Sequence, residues 1–94
     1  MKFMITWKIP PGCHKQAAED FLSEGAPVPE ALATLGRWHV PGSAMGWLLV
    51  EGTDGVALAQ HAAEWANLLE LEISPVIEDE EAATGLARAY GKSN

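Results

Sequence analysis

Phe3, Ile5, Trp7 and Ile9 alternate with Lys2, Met4, Thr6 and Lys8 at the start of the chain. A period of two belongs to a half-buried β-strand, and whatever follows has to cover its apolar side. Pro10-Pro11-Gly12 ends the run, because proline donates nothing to a strand ladder. The period then changes. From Cys13 to Glu24, Ala17, Ala18, Phe21 and Leu22 recur at helical spacing, and Gly25 is a natural helix stop. Beyond the loop Ala26-Pro27-Val28-Pro29-Glu30, the strand-like runs Thr34 to Val40 and Met45 to Glu51 flank Pro41-Gly42-Ser43-Ala44, which predicts a hairpin. Thr53 or Asp54 caps a second helix with Leu58, Ala62, Trp65 and Leu69 along one stripe. A fourth strand covers Glu70 to Ile77, and Pro75 inside it asks for an edge position. Glu78-Asp79-Glu80-Glu81 opens a third helix whose expected buried stripe is Ala83, Leu86, Ala87 and Tyr90. Those four acids sit where the helix dipole welcomes negative charge, which explains them without a functional role. Gly91-Lys92-Ser93-Asn94 reads as a frayed tail.

The order β-α-β-β-α-β-α is the split βαβ, ferredoxin-like pattern of an α+β domain with an added C-terminal helix. Right-handed crossovers place both main helices on one face of a four-stranded antiparallel sheet. At 94 residues the chain is one domain that buries roughly 60–65% of its unfolded surface. The second sheet face is left uncovered, and strands rich in tryptophan make its full solvation costly. A homodimer with sheets packed face to face is the expected outcome.

Six Lys and Arg stand against 13 Asp and Glu, a net charge of −7 with neutral histidines. A partner held through phosphates needs a basic face, so nucleic acid and anionic membrane are excluded as expected partners. Cys13 is the only cysteine, which leaves no intramolecular disulfide or paired-cysteine zinc knuckle and fits a reducing cytoplasm. No apolar run approaches the ~18 residues that span a bilayer. A copper-chaperone site would need two thiols in the first turn, and an acylphosphatase would need an arginine there. Pro10-Pro11-Gly12-Cys13-His14 offers neither.

The cluster that carries chemistry is Gly36-Arg37-Trp38-His39. In a strand Arg37 and His39 project to one side and Trp38 to the other. With Lys8, Glu51, Glu70 and Glu72 on the less apolar sides of their strands, the expectation is one polar sheet face. There Arg37 would clamp an anion and His39 would move a proton, or the same charges would form a salt-bridge network with Arg37 paired to Glu51 or Glu72. Trp7, Trp38 and Trp47, joined by His61 at the edge of the second helix's stripe, are the expected walls of a pocket. Such a pocket suits a small aromatic or anionic metabolite, or a haem with a histidine ligand. Cys13 gains from the helix dipole, but neighbours on a helix point about 100° apart, so Cys13 and His14 need not touch. No metal-ligand spacing is present, and the residues name no cofactor.

Met1 to Trp7, Gly36-Arg37-Trp38-His39, Gly46 to Glu51, Trp65, and Glu72-Ile73-Ser74-Pro75-Val76 with its acidic helix together resemble the small bacterial proteins grouped as domain of unknown function 3303. The resemblance covers nearly the whole chain and implies a dimeric α+β barrel. Proteins of that fold include cofactor-independent monooxygenases and haem-degrading enzymes, but no motif here matches theirs, and fold alone says little about function. A non-catalytic dimerisation or regulatory module is the alternative to a metabolite site.

Overall fold

The N-terminal alternation becomes the central strand β1 (Lys2–Lys8) in the computed structural model, which describes residues 1–91. Two further strands, β2 (Ala33–His39) and β3 (Met45–Glu51), form the hairpin, and β4 (Glu70–Val76) completes an antiparallel sheet of order β2-β3-β1-β4. Pro75 lies in an edge strand, where its missing N–H costs no ladder bond on the open side. Directly opposed residues share a face. Ile5 stands between Leu48 and Ile73, and Trp7 between Gly46 and Leu71, which makes one face apolar. Thr6 and Lys8 meet Trp47, Met45, Glu72 and Glu70 on the other.

Helices α1 (His14–Glu24) and α2 (Gly55–Trp65) cover the apolar face. Gly25 closes α1 at φ 73°, its N–H donating to the Phe21 carbonyl at 2.7 Å. Asp54 caps α2 by accepting from the N–H groups of Val56 at 2.9 Å and Ala57 at 3.1 Å. Ala57 and Leu58 pack with Ile5, Leu32, Leu48 and Val50 into the buried core. The second helix ends at Trp65, one turn short of the expected Leu69, where the Ala66 and Leu68 N–H groups bond three residues back, to the Ala63 and Trp65 carbonyls.

The third helix, α3 (Asp79–Tyr90), forms where the pattern places it, but its apolar stripe is not buried. Leu86 is 60% exposed and Tyr90 80%. Lys2 and Glu78 form an ion pair beside the start of α3. Beyond it the helix runs outward and stretches the molecule to 58 Å, with a radius of gyration of 16.4 Å against about 12 Å for a compact chain of this length. The expected frayed tail, Lys92 to Asn94, lies outside the described residues. Among those described, no helix is long and apolar enough to cross a membrane.

Candidate functional site

Close approach between elements is dominated by strand pairs. A cavity of about 360 Å³ lies between the helices and the sheet, beside the core that Ala57 and Leu58 complete. Ile5, Trp7, Leu48 and Leu71 make its floor. From α1, Ala17 and Ala18 supply little bulk, and Phe21 reaches in beside them. Leu22, 82% exposed, marks the open mouth. His61 and Trp65 close the α2 side. Trp7 is seated flat against the strand because its neighbour across the ladder is Gly46, where a Cβ would collide with the indole.

Arg37 and His39 stand opposite Leu48 and Gly46, so both project to the helix-covered side. This corrects the expected polar face. Lys8, Glu51, Glu70 and Glu72 belong to the opposite side of the sheet, and Arg37 pairs with neither glutamate. Its Nη1 donates to the Gly25 carbonyl at 3.0 Å and its Nη2 to the Ala26 carbonyl at 2.7 Å, two carbonyls that the end of α1 leaves exposed. The guanidinium also lies 5.9 Å over the Phe21 ring, within cation–π range. Partial burial lowers the Arg37 pKa from its ordinary value, yet arginine remains charged throughout the physiological range.

The ring of His39 is wedged edge-on between two others, with centroids 5.1 Å from Trp7 and 5.4 Å from Phe21. Its Nδ1 shares a hydrogen bond of 3.0 Å with the Ser43 hydroxyl. His14 Nε2–H donates to the Gly42 carbonyl at 2.8 Å and ties the start of α1 to the hairpin turn. His61 is 5% exposed, and its Nδ1 is buried with no hydrogen-bond partner. Burial pushes this imidazole below its ordinary pKa; Glu64 pulls it back up and the Arg37 charge pushes it further down. No aspartate or glutamate lines the cavity. The arrangement is an apolar slot with one permanent cation, three imidazoles and a hydroxyl.

Five of the residues singled out by sequence, Trp7, His14, Arg37, His39 and His61, line this cavity. Trp38 and Trp47 do not. They pair with each other on the far face of the hairpin, and Trp38 folds over Gly36 there, 52% exposed. Strand alternation separates Trp38 from Arg37 and His39, so the three cannot line one pocket. Cys13 caps α1 without a side-chain bond, and His14 turns to Gly42. Sequence reasoning missed Ser43, which stands at φ 61° in the hairpin turn and reaches His39 four residues back. It also missed Phe21, which looked like an ordinary stripe residue, although it is the bulkiest member of a stripe that includes Ala17 and Ala18.

Among the described residues no group of three His, Cys, Asp or Glu side chains is placed to hold a metal ion. A family model described as Domain of unknown function (DUF3303) matches residues 1–90. No curated protein and no solved structure matches the chain.

Proposed function

The chain belongs to the DUF3303 family, and we propose that it binds a small aromatic or anionic metabolite in the cavity between its helices and its sheet. The observation that carries the reading is the convergence of Arg37, His39 and His61 with Trp7 on one apolar space. The buried His61 and the half-buried Arg37 at an apolar cleft are the few polar groups a ligand site needs for orientation. Arg37 clamps an anionic group and His39, held by Ser43, moves a proton if the site is catalytic. At interior packing density the space beneath the helices takes roughly a dozen non-hydrogen atoms. The free Cys13 thiol fits a reducing compartment such as the cytoplasm.

Trp7 and Trp65 both line the cavity, so their fluorescence reports occupancy. Titration against a metabolite panel should give a saturable change in the wild type that His39→Ala, still folded, loses. Unchanged binding by His39→Ala would sink the role given to that residue.

A second reading, a homodimerisation module, is favoured by a separate observation. Leu86 and Tyr90 of the α3 stripe are exposed, as is Trp38 on the far side of the hairpin, and an isolated helix of this length is marginal in water. A second copy would cover both. Light scattering should then give twice the 10.1 kDa chain mass, falling to the single mass when residues 79–94 are removed. A wild-type monomer at micromolar concentration would end this reading.

A further inference from the structure

The cavity's lining narrows the ligand further, an inference that rests on the binding role proposed above. Among the described residues the lining contains no carboxylate, although the chain has 13 Asp and Glu, and its one permanent charge is Arg37. Three groups around it offer N–H donors that find no acceptor within the protein. Arg37 spends one N–H each on the Gly25 and Ala26 carbonyls, which leaves three of its five. The Trp7 indole N–H has no hydrogen bond among the described residues, and it is not sealed from the cavity either. In His61 the sealed Nδ1 is without a partner. An unmet lone pair is tolerated better than an unmet N–H, so the proton belongs on Nε2, the nitrogen that retains access.

Trp7 meets His39, His39 meets Phe21, and Arg37 lies over Phe21, so the cation borders the aromatic wall of the slot. A set of donors with one fixed positive charge in an apolar slot matches a singly charged group rich in acceptors. A carboxylate offers about four lone-pair sites. A phosphate would bring up to two charges against one arginine, and an amine would bring a cation and more donors.

We propose that the cavity selects an apolar monocarboxylate of about a dozen non-hydrogen atoms, its carboxylate held by the N–H groups that Arg37 has left and its hydrocarbon or aryl body against Phe21, Trp65 and Leu71. Calorimetric titration with 3-phenylpropionate, 3-phenylpropanol and 3-phenylpropylamine tests it, since the three share one body and differ in the head. The carboxylate should bind at least about tenfold more tightly than the alcohol, with the amine weakest. Arg37→Met should abolish the preference for the carboxylate while leaving alcohol affinity within about twofold. If Arg37→Met fails to fold, the wild-type ranking still decides, and Arg37→Lys should keep a reduced preference. An alcohol that binds as well as the carboxylate overturns this inference and leaves the cavity reading intact. Failure of all three to bind overturns both.

Discussion

Gly46 is the position on which the shape of the cavity floor depends, and replacing it with alanine is a sharp test. It is buried in β3, directly opposite Trp7 on one side and His39 on the other. A Cβ built there falls within 3.0 Å of both the Trp7 ring and the Trp38 carbonyl. Overpacking of a core position costs about 1–3 kcal/mol when side chains can move aside. One of the two obstacles here is backbone in the neighbouring strand, so the upper end applies, about 3 kcal/mol. For a domain of this size each kcal/mol lowers Tm by about 4–8 °C, which predicts a fall of roughly 15 °C. Urea unfolding of Gly46→Ala, followed by circular dichroism, measures the loss directly, with an unchanged m-value if both states keep their compactness. Adding Trp7→Phe removes one obstacle, so the double variant should lose about 1 kcal/mol less than the sum of the singles. A Gly46→Ala protein within about 0.5 kcal/mol of the wild type would refute the claim that Trp7 is seated by the missing side chain.

Asp54→Ala removes the acceptor for two N–H groups at the start of α2 and should cost about 1 kcal/mol, read from the urea midpoint. The buried His61 has a folded pKa below its unfolded value near 6.5, so the unfolded chain binds the extra proton between the two. Its contribution is therefore complete above that value and is lost as the pH falls beneath it, with a slope of at most about 1.4 kcal/mol per pH unit. His61→Gln should flatten the acid limb of stability against pH between 7.5 and 5, and parallel curves would contradict the assignment. The chain as a whole carries a net charge of −7 although the cavity holds Arg37, so the association rate of 3-phenylpropionate should rise with added salt as the long-range repulsion is screened. Stopped-flow fluorescence across 10–200 mM salt, a range of about a threefold-or-greater change in Debye length, would show a falling rate if Arg37 steered from a distance.

The elements are written into the chain by local chemistry. Pro10-Pro11-Gly12 ends β1, Gly25 closes α1 in the left-handed region, and Pro75 sits at the sheet edge where proline is tolerated. The shared side of Arg37 and His39 follows from alternation alone. Which side it is does not. In β2 the register slips between Thr34 and Gly36, so that Thr34 stands opposite Val50 while Gly36 stands opposite Leu49. That single extra residue turns Thr34 to the same side as Arg37, against the parity of the sequence, and a bulge of this kind leaves no mark in composition. The fate of α3 is unreadable for a different reason. A stripe of Ala83, Leu86, Ala87 and Tyr90 says that the helix has an apolar face but not what covers it.

A cavity of this size also bears on how the protein stays folded. The space opens to solvent at Leu22, so without a ligand water reaches both its apolar walls and the Arg37 N–H donors that the protein leaves unused. Water satisfies those donors but gains nothing from the walls of Phe21, Trp65 and Leu71. A ligand that supplies acceptors at one end and hydrocarbon at the other improves on water at both. By mass action, a ligand present at a hundred times its Kd stabilises the fold by about 2.7 kcal/mol, or a rise in Tm of more than about 10 °C. Ligand identity and fold stability are thus coupled through the same few residues, and thermal shift reads the first by way of the second.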